Sequence, residues 1–180
     1  AAVSILCDAG VNPKLKVFPD TSPFRVACLM ASVQTVKEMM NHFPVSLRYC
    51  LHISMVFFGD ADTVSTLIDA SANIDEQLRV PMSRGIWWSF LKAMKVRHHT
   101  SPSVLTHLAY HNQGATALMF AILTGKFEAA RVLVEAGARL DLKNDRGKTA
   151  VDLLDEMHAP YLLGNDTMVK VASIANNNAD

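Results

Sequence analysis

The sequence predicts an all-α solenoid of stacked helix-turn-helix units, and three observations support this fold class. Residues 114–118 (GATAL) recur as residues 147–151 (GKTAV), an offset of 33 positions. Residues 59–75 align with residues 125–141 at an offset of 66, which is twice that period. Glycines also interrupt the apolar stretch 114–137, so it is expected to form two short helices rather than one long helix.

The apolar residues within this stretch indicate why each helix forms. In the first helix, side chains at i, i+3 and i+4 share one face, at Leu118, Ala121 and Ile122. The second helix repeats this spacing at Ala129, Val132, Leu133 and Ala136. Each helix is therefore expected to bury a single face. Helices of about ten residues are marginal alone, so stacking on neighbouring units must stabilise them.

The ends of the two helices also have sequence signals. Thr116 is placed to cap the first helix through its hydroxyl group. Gly125 separates the helices, and Gly137 is expected to end the second in the left-handed conformation. Residues 138–149 (ARLDLKNDRGKT) then alternate and close with turn-favouring residues, which predicts a protruding finger with a charged tip.

This pattern resembles the ankyrin repeat, whose motif runs roughly D-x-x-G-x-T-P-L-x-x-A-A-x-x-G-H-x-E-V-V-x-L-L-L-x-x-G-A-D. Residues 111–143 follow the motif closely, with Ala117 in place of the usual proline. The resemblance implies a single domain, 1–175, with short hairpin fingers, about four to five full units and a partial N-terminal one. The expected units are 1–17 (partial), 18–46, 47–80, 81–110 (degenerate), 111–143 and 144–175 (terminal), before a disordered tail, 176–180.

The first unit resembles only the second half of a repeat. Because terminal repeats need a polar cap, we expect the natural protein to extend upstream or its N-terminal helix to fray.

The resemblance also implies a non-catalytic scaffold that binds partner proteins through the concave surface of its fingers and first helices, without a cofactor and as a monomer. In such repeats the variable positions select the partner, because the motif residues are used for packing. In this chain those positions are Asn112, Gln113, Ala115, Leu123, Thr124, Asp145, Arg146 and Lys148.

Composition narrows the partner class and the compartment. Lys plus Arg and Asp plus Glu both total 17, so no overall charge favours nucleic acid. Three cysteines without a CxxC pair suggest neither a disulfide framework nor a zinc knuckle, and they favour a reducing, intracellular and cytoplasmic location. No apolar run approaches the roughly 20 residues needed to span a bilayer, and no catalytic motif occurs.

The expected degenerate unit has an unusual composition, with two adjacent tryptophans at 87 and 88. Its apolar residues have helical spacing, and large side chains at such spacing usually fill a core. The alternative is that Trp88, on a different face from Trp87, is an exposed anchor for a partner, because tryptophan is enriched at binding hot spots.

Four of the seven histidines lie between positions 98 and 111: His98, His99, His107 and His111. On a helix, His107 and His111 would share a face, which suggests a metal-dependent or catalytic function for this region as the alternative to a scaffold. Residues 104–113 fit a finger equally well by repeat counting, and no third ligand has a motif spacing. Structural or solvated histidines remain the simpler interpretation, with no metal ligand assigned.

Overall fold

The computed structural model describes residues 22–57, 60–79, 86–100 and 103–157, with the side chains of residues 86–91 left undescribed. These ranges contain nine helices and no strand, which confirms the all-α prediction. They are α1 (Pro23–Met30), α2 (Val33–His42), α3 (Cys50–Ser54), α4 (Ala61–Asp69), α5 (Ile86–Arg97), α6 (Val104–His111), α7 (Ala117–Leu123), α8 (Phe127–Glu135) and α9 (Ala150–Glu156).

The helices stack in two layers. Helices α1, α3, α7 and α9 contact one another in that order, and α2, α4 and α8 form a second row. Each first helix also contacts its own second helix in the pairs α1–α2, α3–α4 and α7–α8. The predicted solenoid is therefore confirmed, with three helix pairs and the first helix of a fourth within the described ranges.

The helix ends follow from the sequence. Thr116 accepts a hydrogen bond from Met119 N at 3.4 Å, and Thr149 forms a reciprocal capping box with Asp152 on α9. Gly125 and Gly137 have φ angles of 72° and 90°, in the left-handed region that side chains disfavour. The predicted cap and the predicted left-handed glycine are both present.

Helix α7 departs from the expectation of a single buried face. All seven of its side chains are buried, including Met119, Phe120 and Leu123 outside the predicted stripe. Four helices surround it, because α3, α6, α8 and α9 all contact α7. The spacing of apolar residues in one segment predicts one buried face of a helix. It does not indicate how many neighbouring helices cover the other faces.

The largest departure concerns residues 81–110. Helices α3 and α4 contact α7 and α8 directly, so no further unit stands between these two pairs in the stack. Helices α5 and α6 instead contact each other, and α6 contacts α7. The expectation that residues 81–110 form a degenerate unit of the stack is therefore corrected.

Hydrogen bonds show where this segment is inserted. In the last finger, Asn144 N donates to Lys148 O and Gly147 N donates to Asn144 O, both at 2.9 Å. The preceding finger has two equivalent hydrogen bonds, both at 2.8 Å, in which Leu78 takes the place of Asn144.

In that preceding finger, Ala115 accepts from Leu78 N, and Gly114 N donates to Leu78 O. Two residues separate Asn144 from Gly147, whereas 35 separate Leu78 from Gly114. The difference of 33 equals the repeat period, so α5 and α6 belong to an insertion at a finger tip.

Three expectations concern regions outside the described residues: the partial unit 1–17, the part of the terminal unit beyond residue 157, and the tail 176–180. The other predicted units, 18–46, 47–80 and 111–143, contain the helix pairs α1–α2, α3–α4 and α7–α8 respectively. No helix of the described ranges is both long enough and apolar enough to cross a bilayer.

Candidate protein-binding surface

The residues predicted to bind partners divide into two groups by burial. Asp145 and Arg146 are exposed at the tip of the last finger, and Lys148 is partly exposed beside them. Gln113 and Thr124 are also partly exposed. Trp88 lies in α5, but its side chain is outside the described part of the structure.

Asn112, Ala115 and Leu123 are buried, with at most 4% of each residue exposed. The Ala115 carbonyl accepts from the backbone of the preceding finger and from His52 Nε2, the latter at 3.0 Å. Leu123 belongs to the fully enclosed helix α7. Because these three residues are buried, their side chains are not accessible to a partner in this conformation.

The two fingers bearing the exposed residues are fixed to each other. Asp145 N donates to Gln113 O at 3.0 Å, and Gln77 Nε2 bridges Gly114 O and Lys143 O at 2.8 Å each. Gly114 has a φ of 70°, and a β-carbon there would overlap the backbone and carboxyl group of Asp145. The close approach of the fingers therefore requires glycine at this position.

Arg146 connects the last finger to the inserted helices. Its guanidinium carbon lies 3.3 Å from the centre of the Tyr110 ring, and its Nε donates to Tyr110 O at 2.7 Å. The ring of His98 stacks on Tyr110 with centroids 4.4 Å apart and planes inclined by 25°. At one edge of the candidate surface, Tyr110 thus contacts both Arg146 and His98.

Lys148 and His111 converge on one carboxylate of α9. Lys148 Nζ forms an ion pair with Glu156, and His111 Nε2 lies 3.7 Å from the other oxygen of the same group. The His111 side chain is 5% exposed, and burial lowers its pKa to about 4, although the charge of Glu156 acts in the opposite direction. The imidazole is therefore neutral at pH 7.

The four histidines of the alternative hypothesis do come together. The ring of His98 has centroid distances of 4.4 Å to His107, 5.7 Å to His99 and 6.4 Å to His111. Burial and the neighbouring His107 lower the pKa of His98. Even so, no three His, Cys, Asp or Glu side chains of the described residues are placed to hold a metal ion.

Helix α6 explains this cluster. The sequence of residues 104–113 is compatible with a helix or with a finger, and the structure shows a helix from Val104 to His111. A Ser103–Thr106 capping box starts it, with Thr106 Oγ1 accepting from Ser103 N at 2.7 Å. His107 and His111 therefore share a helical spacing, and α5 brings His98 against them.

One cavity of the described region lies between α7, α8 and α9. Its volume is about 10 Å³, enough for a single water-sized molecule. Its lining is apolar and includes Leu118, Val134 and Leu154. This cavity is too small to bind an organic substrate.

Sequence reasoning missed a second group of side chains: Arg48 and Arg79, which are exposed, and Arg25 and Tyr49, which are partly exposed. Arg48 and Tyr49 directly precede α3, and Arg79 directly follows Leu78 of the preceding finger. Arg48 Nη2 donates to the Tyr49 hydroxyl at 2.9 Å, and that hydroxyl donates to Arg79 O at 3.3 Å. The sequence signal that could have identified these residues was their position at the start of a first helix or beside a finger.

The chain is similar to one family model and to several known proteins. The family model described as "Ankyrin repeats (many copies)" matches residues 105–154. The chain is 41% identical over 59 residues to a putative palmitoyltransferase, ZDHHC13, of Danio rerio; the match covers 33% of this chain and 9% of that protein.

It is also 27% identical over 180 residues to a probable 26S proteasome regulatory subunit, p28, of Saccharomyces cerevisiae, covering 90% of this chain and 77% of that one. Among solved structures, the Bd0816 predatory endopeptidase of Bdellovibrio bacteriovorus in complex with the immunity protein Bd3460 aligns with a TM-score of 0.40. That alignment has 20% identity over 93% of this chain and 89% of the other.

Proposed function

Because this chain is an ankyrin-repeat protein, we propose that it is a non-catalytic module that binds partner proteins through its finger tips and the adjoining first helices. Repeats of this family generally serve protein interaction. The finer claim, that Gln113, Thr124, Asp145, Arg146 and Lys148 form the contact surface, is ours.

The observation that supports this proposal most is the rigid presentation of the last finger. Asn144 Oδ1 accepts from the backbone nitrogens of Arg146 and Lys148 at 3.0 Å each, which holds the turn closed. The charged side chains then extend from a fixed backbone, so little conformational entropy is lost when a partner binds. Asn112, Ala115 and Leu123 contribute by packing beneath this surface.

The inserted helices extend the proposed surface beyond the usual finger. Because α5 is held against the finger through His98, Tyr110 and Arg146, Trp88 is a candidate anchor on the same side of the stack. Its role as a hot spot remains part of the proposal.

The relatives favour a supporting role within something larger. One is named as a putative palmitoyltransferase, of which the match covers 9%, and another as a probable 26S proteasome regulatory subunit. We therefore place this module in a larger polypeptide or assembly, where it brings a partner to an activity located elsewhere. The free, buried thiols of Cys28 and Cys50 support an intracellular, cytoplasmic location, and we further propose that the protein is a monomer.

A paired charge reversal tests the proposal. The double variant Arg146→Glu and Lys148→Glu should lose partner capture, and the matched control is Arg131→Glu with Arg139→Glu. The control arginines form ion pairs with Glu135 and Asp141 at 2.6 Å each, whereas Lys148 pairs with Glu156 and Arg146 contacts Tyr110, so each variant loses two local contacts.

Capture from a cell extract, measured by quantitative mass spectrometry, should fall about tenfold for the finger variant and change little for the control. Thermal unfolding of both variants should stay within a few degrees of each other, because exposed ion pairs contribute about 0–1 kcal/mol each. Equal capture by the two variants would contradict the proposed surface.

A further inference from the structure

Arginine and tyrosine side chains form a continuous row across three consecutive units. We call Arg25, Arg48, Tyr49, Arg79 and Arg146 the basic row. Arg25 Nη2 donates to Arg48 O at 3.0 Å, and the Arg48 guanidinium lies 4.8 Å from the centre of the Tyr49 ring. The Tyr49 hydroxyl then donates to Arg79 O, which carries the row to the finger of the second unit.

The row continues into the last finger through an ion pair. Arg79 Nη1 lies 3.0 Å from Asp145 Oδ1, and Arg146 is the next residue along that finger. The row thus follows the side of the stack where first helices begin and fingers project. This is the same side as the surface proposed above.

Positive charge exceeds negative charge along the row. Among the described residues, its four arginines pair with two carboxylates, those of Glu76, 3.5 Å from Arg48, and Asp145. The side chains of Arg48 and Arg79 are 64% and 61% exposed, so their remaining donors point to solvent.

The chemistry of the row suits carboxylates. The planar guanidinium group presents paired donors that match a carboxylate, and arginine and tyrosine are the residues enriched at interface hot spots. A nucleic acid or an anionic bilayer would place negative charge continuously along the surface. Glu76 and Asp145 interrupt the row and would repel such a partner. In a protein segment the acidic side chains are separated, so they can lie away from these two carboxylates.

We propose that the basic row binds an extended acidic segment of the partner protein, with Asp or Glu side chains placed against Arg25, Arg48, Arg79 and Arg146. This inference rests on the proposed binding function and identifies the class of segment that the surface accepts.

Fluorescence anisotropy tests this proposal with a labelled peptide in which glutamate alternates with serine. A length of about ten residues spans roughly 33 Å when extended, enough to cross several units. The chain should bind this peptide with an affinity that falls as sodium chloride is raised, and it should not bind the version with glutamine in place of glutamate. The double variant Arg48→Gln and Arg79→Gln should weaken binding about tenfold, as expected for losing two exposed ion pairs.

The matched control is Arg131→Gln with Arg139→Gln, which removes the same charge from arginines outside the row. It should bind the glutamate peptide within about twofold of the unchanged chain, because Arg131 lies on α8 in the second row of helices and neither arginine contacts the basic row. Circular dichroism spectra of the two variants verify that both remain folded.

Three results would overturn the acidic-segment proposal: binding of the glutamine peptide, equal weakening by row and control variants, or equally tight binding of oligothymidylate or phosphatidylserine vesicles. Repeating the partner-capture experiment with the row variant distinguishes failure of the acidic-segment proposal from failure of the proposed binding function. If the row variant captures the partner normally while reversal at Arg146 and Lys148 abolishes capture, the acidic-segment proposal fails and the binding function stands. If neither variant changes capture, both fail.

Discussion

Mild acid should destabilise this protein through one buried histidine. His52 on α3 is 1% exposed, and its Nε2 donates to the carbonyl of Ala115 in the next unit at 3.0 Å. Its ring also meets Tyr49 and Phe120 edge-on, with centroid distances of 5.7 Å and 5.2 Å. A charged imidazolium in this position would be buried without a carboxylate partner, so burial lowers the pKa of His52 to about 4.

The size of this destabilisation follows from the difference between the pKa of His52 in the folded chain and its pKa in the unfolded chain. The unfolded chain protonates His52 below about pH 6.5, whereas the folded chain keeps it neutral until about pH 4. Between these values the unfolded state binds more protons, so the contribution of His52 to stability is complete above pH 6.5 and is lost as the pH falls toward 4. Between pH 7 and pH 5, this one group should cost about 2 kcal/mol.

Urea unfolding followed by far-ultraviolet circular dichroism at pH 7 and pH 5 measures this loss. With an m-value of about 2 kcal/mol per molar, 2 kcal/mol corresponds to a midpoint shift of about 1 M. The variant His52→Gln keeps an N–H donor for the Ala115 carbonyl but does not titrate, so its shift between the two pH values should be smaller by about that amount.

His42→Gln is the matched control, because His42 is exposed on α2 and the substitution is the same. It should keep the pH response of the unchanged chain. His111, also buried with a pKa near 4, adds a similar response, which remains in both variants and cancels in the comparison. If His52→Gln loses as much stability between pH 7 and pH 5 as the unchanged chain, the reasoning about His52 is refuted.

Two further predictions concern the insertion and its histidines. In the first, residues 79–113 are replaced with the dipeptide Asp-Arg, which occupies positions 145 and 146 of the last finger. The shortened chain should still unfold in one cooperative urea transition. A shortened chain that does not fold would contradict the assignment of a finger insertion. Zinc added to the purified chain in a calorimeter should release no heat at one equivalent, since no three ligands of the described residues suit a metal; heat that disappears in His107→Ala would support the metal hypothesis instead.

Some features of the fold were predictable because they depend on residues close together in the chain. The hydroxyl of Thr116 caps α7 three residues away, and Gly125 and Gly137 supply left-handed turns wherever a helix must stop. The charged tip of the last finger was likewise predictable, since Asn144 closes its turn through bonds spanning at most four residues.

Other features depend on which surfaces meet. Asn112, Ala115 and Leu123 occupy positions where the repeat motif is variable, yet neighbouring elements enclose them. The arginines of the basic row are scattered over more than 100 positions of sequence, and only stacking brings them into line. No local pattern distinguishes these residues from ordinary surface or core positions.

The helical units and their ends are encoded locally, because capping, turn formation and apolar periodicity act over a few residues. Which units are neighbours depends instead on how the helices pack. The insertion between Leu78 and Gly114 lengthens the finger by 33 residues, one full period, so repeat counting read it as another unit. Direct packing of α4 on α8 reveals the insertion, because contact between distant segments depends on the assembled stack and not on their spacing in the chain.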